Sequence, residues 1–187
     1  VIIGGGFGGI LAASRLKEAG FSDFKIIEKG GNFGGTWYWN RYPGASCDIE
    51  SYIYFPLLEE TKFIPGKKYT NAPETLEYFD VISEKFGLNE HAIFQTEVDN
   101  VRWNDDERLW ELNTNKGDKI KCNYVVHANG PLNRPKLPAI NGINDYKGHT
   151  FHTSRWDYQY TGGSSKGNLS NLKDKRVAVI GTGATAV

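Results

Sequence analysis

The chain has 187 residues, 39% of them apolar and 13% aromatic, enough for a globular domain with a buried core. Its 22 basic and 22 acidic residues balance, so no net field recommends a nucleic acid or an anionic membrane surface as partner. The two cysteines, Cys47 and Cys122, show neither metal-ligand spacing nor disulfide-scaffold density, which predicts no metal site and a reducing, cytoplasmic setting; no apolar run approaches the roughly 20 residues of a membrane span.

Residues 1–3 form an apolar strand end that runs into Gly4-Gly5-Gly6-Phe7-Gly8-Gly9, and helix formers follow over 10–19 up to a stop at Gly20. Residues 24–27 read as the next strand, closed by Glu28, which completes an element of βαβ size. Over 29–55 the periodicity is lost and glycine, proline and aromatics crowd into a long loop. A helical pattern returns over 73–86, with Leu76, Phe79, Val81, Ile82 and Phe86 available to one side. Residues 93–120 read as a small β-meander with turns at 104–107 and 115–118, and 124–127 as a short buried strand feeding Ala128-Asn129-Gly130. Pro131, Pro135 and Pro138 mark an extended connection, and 162–170 a polar surface loop. Residues 176–180 then form a strand running into Gly181-Thr182-Gly183-Ala184-Thr185-Ala186, so a strand followed by a glycine loop occurs twice. A start in mid-strand, the lack of any Met and a stop inside the second loop predict a piece of a longer enzyme.

Gly4, Gly6 and Gly9, placed after a strand and before a helix, have the dinucleotide spacing, in which missing side chains let backbone approach a pyrophosphate at a helix N-terminus. In a chain this rich in glycine the bare pattern arises by chance roughly 0.3 times, so its neighbours decide. Glu28, at the end of the second strand, can accept from both ribose hydroxyls of an adenosine and would repel a 2'-phosphate, which favours FAD or NAD over NADP here. The competing reading is a tight turn followed by a solvated strand end.

Gly34-Gly35-Thr36-Trp37 leads into Tyr38, Trp39, Tyr42 and, later, Asp48. Such a concentration of rings suits a flat tricyclic flavin, with amides around Gly35 and Thr36 free to reach its oxygens; simple core packing is the alternative for any one ring. Asp48 either orients a cationic side chain over a flavin or caps the helix that follows it.

The segment Tyr146-x-Gly148-x-x-x-His152-x-x-x-Trp156-Asp157 has a chance expectation on the order of 0.0001 in this composition. Together with 35–48 it resembles the fingerprint of the type I Baeyer-Villiger monooxygenases, with Tyr146 in place of the usual Phe. The flavin-containing monooxygenases end the motif in another aromatic and lack the Gly-x-Trp to Asp segment. The resemblance implies an α/β fold: a Rossmann-like FAD-binding domain with a small β-meander insertion over 1–140, followed over 141–187 by the fingerprint linker and the start of a second Rossmann-like, NADP-binding domain. It further implies that Gly4, Gly6, Gly9, Glu28, Gly35, Thr36, Trp37, Asp48 and Tyr54 hold FAD, that Gly181, Thr182, Gly183, Ala184 and Ala186 open the NADPH site, and that Asp48 lies between the two and partners an arginine beyond Val187. His152 and Trp156 would couple domain movement to nicotinamide binding, although a histidine that only holds the linker's shape fits the motif as well.

The activity implied is insertion of one atom of O2 into a small-molecule ketone, through a C4a-peroxyflavin, to give an ester or lactone. No protein partner is implied. N- or S-oxygenation and a silent FAD-binding module are the rivals; a flavin disulfide reductase would need a redox cysteine pair, and Cys47 and Cys122 lie too far apart in sequence for the usual Cys-x-x-Cys.

Overall fold

The computed structural model describes residues 1–186; Val187, where the expected second unit ends, lies outside them. Strand β1 (Ile2–Ile3) leads through the glycine loop into helix α1 (Phe7–Glu18) and then to β2 (Ile26–Ile27). Helix α1 forms because Ile10, Leu11, Ala12, Ala13 and Leu16 favour it, Arg15 and Lys17 in its last turn suit the dipole, and Gly20 ends it in a left-handed conformation, φ 84°.

The aromatic loop contains two single-turn helices, α2 (Thr36–Trp39) and α3 (Ser51–Tyr54), and a third, α4 (Leu58–Thr61), follows it. Helix α5 (Ala72–Lys85) starts where the Asn71 side chain accepts from the Glu74 amide at 3.0 Å. Its buried stripe is Thr75, Tyr78, Phe79 and Ile82, flanked by half-buried Leu76, Val81 and Phe86, so the expected apolar side is rotated to take in a tyrosine. Strands β3 (Ala92–Ile93), β4 (Val98–Asn104), β5 (Leu109–Thr114), β6 (Lys119–Cys122) and β7 (Val126–His127) follow. A last short helix, α6 (Tyr158–Thr161), closes the fingerprint segment.

Two sheets result. One is parallel, in the order β3-β2-β1-β7, with Ile2 opposite Ile26 on one side and Val126 on the other; the second is an antiparallel meander, β4-β5-β6. Since all four parallel strands run the same way, their carboxyl ends bring Gly4, Glu28 and Ala128 to one edge, where ligands of such sheets bind. Behind that edge lies an aromatic core. Phe7 stacks on Phe79 with centroids 4.2 Å apart, and Phe55 on Tyr78 at 4.9 Å. Phe7 is half-buried, and its stacking on fully buried Phe79 ties the glycine loop to α5.

Two expected elements differ. Strand β7 is exposed, with Val126 at 37% and Tyr124 at 82%, because it forms the sheet's edge and pairs on one side only. Residues 176–180 form no strand, and Val177, Val179 and Ile180 are exposed. The first strand of a Rossmann unit pairs with strands that follow it in sequence, and the described residues after Ile180 contain none.

Candidate functional site: a nucleotide cradle at the sheet edge

A cavity of about 610 Å³ opens at the carboxyl edge of the parallel sheet, within the range usual for ligand sites. Its walls bring together Gly4 and Gly6 of the glycine loop, Glu28 at the end of β2, Gly35, Thr36 and Trp37 of the aromatic loop, and Tyr54. Of the residues expected at the first site, only Gly9 and Asp48 lie off these walls.

Each glycine has its own reason to be there. Gly4, at φ 105°, is left-handed, and a Cβ on it would overlap the Ala128 carbonyl. On Gly9 a Cβ would run into the Gly4 carbonyl oxygen, so Gly9 shapes the turn from behind while the cavity faces its neighbours. Gly6 and Gly35 meet backbone to backbone: a Cβ on Gly35, φ 51°, would stand 2.7 Å from the Gly6 Cα. The Gly34 amide donates to the Gly5 carbonyl at 3.0 Å and fixes this approach. Gly6, as N-cap of α1, offers no side-chain acceptor, and the first turn carries no acid. The amides at that helix end are thus left for an acceptor from outside, the arrangement that receives a pyrophosphate.

Glu28 is buried at 5% exposure, and its carboxylate is already engaged: Oε2 accepts from the Gly5 amide at 2.6 Å and Oε1 from the Gly30 amide at 2.5 Å. Two oxygens with about four lone-pair sites keep capacity for further donors. The residue therefore sets the glycine loop's shape as well as offering an acceptor at the cavity wall.

In the aromatic loop the Trp37 indole donates to the Tyr54 hydroxyl at 3.2 Å. Burial pushes the Tyr54 phenol above its ordinary value, and the Trp37 bond works against that. Burial also pushes the Cys47 thiol up, which disfavours its thiolate, and both cysteines are free. Asp48 does not serve as the helix cap. It is exposed, makes no hydrogen bond or ion pair among the described residues, and does not cap α3, whose N-cap is Glu50. The loop turns it outward because flanking Ala45, Cys47 and Ser51 take the inward places.

The fingerprint segment folds on itself. His152 Nδ1 accepts from the Ser154 amide at 3.1 Å and lies 2.8 Å from its hydroxyl; Trp156 donates to Thr161 Oγ1 at 3.0 Å; Asp157 caps α6 through the Tyr160 amide and pairs with His149 at 2.8 Å. The Tyr160 amide bond, then His149, holds the Asp157 carboxyl below the usual carboxylate range. Tyr146 is exposed, and Gly148 sits under its ring. Gly181, Thr182, Gly183 and Ala184 are exposed and, with Ala186, line no cavity with the first site. Sequence reasoning missed Phe7, Asn133 and Arg134 as wall residues, along with Glu97 to Val101 from the meander; Phe7 alone carried a signal, being the one side chain inside the glycine loop.

The family model for pyridine nucleotide-disulphide oxidoreductase matches residues 1–187. Among curated relatives, Baeyer-Villiger monooxygenase ATR8 of Stachybotrys chlorohalonatus is 52% identical over 187 residues, which are 100% of this chain and 30% of that protein. Among solved structures, the polycyclic ketone monooxygenase of the thermophilic fungus Thermothelomyces thermophila superposes with a TM-score of 0.90 at 44% identity, covering 99% of this chain and 31% of that one. A complex of OTEMO with FAD and NADP superposes at 0.86 with 37% identity, covering 100% and 34%. The chain thus spans about a third of the length of the relatives it matches.

Proposed function

Because this chain belongs to the pyridine nucleotide-disulphide oxidoreductase family, and within it to the Baeyer-Villiger monooxygenases, we propose that it forms the FAD-holding part of an NADPH-dependent enzyme that inserts one oxygen atom of O2 into a ketone. The observation that carries this reading is the backbone contact between Gly6 and Gly35, which opens one cavity onto both the α1 N-terminus and the ring-rich loop. The residues fit FAD: the glycine loop leaves a diphosphate its room, Glu28 offers a ribose its acceptor, and Trp37 and Tyr54 give a flat ring an apolar wall. When bound, FAD reduced by NADPH supplies the electrons that activate O2 beside the ketone. The chain's own residues then have three tasks: α1 and Gly4 orient the diphosphate, Glu28 fixes the ribose, and Trp37 with the aromatic core excludes water.

Residues 1–140 are proposed as the FAD domain and 141–187 as fingerprint linker and opening of the nicotinamide domain. Gly181, Thr182, Gly183, Ala184 and Ala186 would take up a cradle once their strand is paired, and Asp48, facing outward, is free to meet an arginine from elsewhere in the protein. Two free cysteines support a cytoplasmic setting, and among the described residues no helix is long and apolar enough to cross a membrane. The test is to follow NADPH oxidation and ester formation together in the full-length protein across cyclic ketones and thioethers. Ester or lactone from ketones is expected; sulfoxide alone would replace this reading with S-oxygenation, and no NADPH oxidation with a silent module. Residues 1–187 by themselves are expected to give no turnover, since among the described residues the second glycine loop does not line the cavity.

A further inference from the structure

The cavity's walls come from distant parts of the chain, and a few side chains span them. On one side stands α2, ending in Trp39; on the other is the stretch after β7 that includes Asn133. Asn40 donates to the carbonyls of Thr36 at 2.7 Å and Leu132 at 2.9 Å. Lys29 reaches Asn133 Oδ1 at 2.8 Å and lies over the Trp39 ring, 5.3 Å from its centroid. The third crossing comes from the fingerprint segment itself. Arg155 Nη1 donates to the Trp39 carbonyl at 2.8 Å, Nη2 donates to the Asn133 carbonyl at 2.7 Å, and the guanidinium lies over the Trp39 indole at 5.0 Å.

This placement is specific in its chemistry. Arg155 makes no ion pair among the described residues; its partners are the carbonyl oxygens of Trp39, Asn133 and Ser154, a ring face and, at 3.5 Å, the Ser154 hydroxyl. Burial without a counter-charge lowers its basicity, a cost that directed bonds must offset. Two carbonyls on separate segments suit a planar fork with several fixed donors, whereas a lysine is a single point charge. His152, by contrast, spends its Nδ1 inside its own turn.

We propose that Arg155 is a positioning residue for the FAD site: its guanidinium ties the Trp39 and Asn133 carbonyls together, sets the separation of the cavity's walls, and carries any displacement of residues 146–157 to them. The inference rests on the reading of the cavity as an FAD site. A second contact provides the control, for the Tyr158 hydroxyl donates to the Arg41 carbonyl at 2.5 Å, joining the chain just after the fingerprint to the aromatic loop away from the cavity and without reaching Asn133.

The experiment measures FAD dissociation constants by flavin fluorescence, and the visible circular dichroism of bound flavin, in full-length protein carrying Arg155→Ala, Arg155→Lys or Tyr158→Phe. Arg155→Ala is expected to weaken FAD binding about tenfold, the loss of two charge-assisted hydrogen bonds, and to alter the dichroism. Arg155→Lys is expected to recover less than half of that loss, and Tyr158→Phe to leave both readouts at parent values. Parent-like binding and dichroism in Arg155→Ala would overturn the inference, as would full recovery by lysine or an equal loss in Tyr158→Phe. Should Arg155→Ala fail to fold, the lysine and phenylalanine variants decide by the same criteria. A parent protein that takes up no FAD would overturn the site reading itself and the inference with it, whereas a parent that binds FAD beside an indifferent Arg155→Ala removes the inference alone.

Discussion

The glycine loops at 4–9 and 181–186 share a spacing and differ in everything around them. The first leaves a strand paired on both sides, enters a twelve-residue helix, touches the aromatic loop at Gly35 and holds its shape through Glu28. The second follows an unpaired, exposed stretch, and a Cβ on Gly183 would meet nothing within 4 Å. Missing side chains allow a ligand's approach; the paired sheet and the buried acid are what aim the backbone. The cradle is a property of the neighbourhood.

Substituting the glycines themselves breaks the comparison most sharply. Gly9→Ala puts a methyl into the Gly4 carbonyl and is expected to cost about 3 kcal/mol or more of stability and to abolish flavin uptake, as read by urea denaturation and absorbance. Next comes Glu28→Gln, whose amide would turn a donor toward one of two backbone amides; a loss of about 2–3 kcal/mol in FAD binding is expected by fluorescence titration. Trp37→Phe keeps a ring and removes the bond to Tyr54, with an expected cost of about 1 kcal/mol and a further rise of the Tyr54 phenol, read by tyrosinate absorbance. At the small end, Gly183→Ala in residues 1–187 should change urea stability by no more than about 0.5 kcal/mol.

Alkali should test the buried tyrosines of both parts. Burial pushes Tyr42, Tyr54 and Tyr78, and in the linker Tyr158, above the ordinary phenol value. The folded chain holds those protons more tightly than the unfolded one, so their contribution is intact below the unfolded value and is lost as pH rises through the folded values. Thermal unfolding against pH should show a flat neutral range and a fall above about 10; a fall beginning near neutrality would contradict the buried placement.

How much of this was legible depends on the range of the interactions concerned. Gly4, Gly6, Glu28, Gly35, Thr36 and Trp37 could be placed together from sequence because a βαβ unit and its following loop are local, Tyr54 followed from the family resemblance alone, and the cavity does gather them. The meander's turns were legible from Asn, Asp and Gly for the same reason. Failures came where partners are distant or lacking. The stretch 176–180 has a strand's composition but no neighbour to pair with among the described residues, β7 lies at an edge, and Asp48 does not cap α3, whose N-cap is Glu50. Arg155 gave no signal in sequence, since its acceptors, 116 and 22 residues away, are main-chain carbonyls that any residue carries.

The central claim is that the first cradle holds a flavin, and reconstitution tests it directly. Full-length protein stripped of nucleotide and mixed with FAD should turn yellow, bind it in equimolar amount and quench its fluorescence, with uptake abolished by Gly9→Ala. A protein that stays colourless and leaves the fluorescence of added FAD unchanged would contradict it.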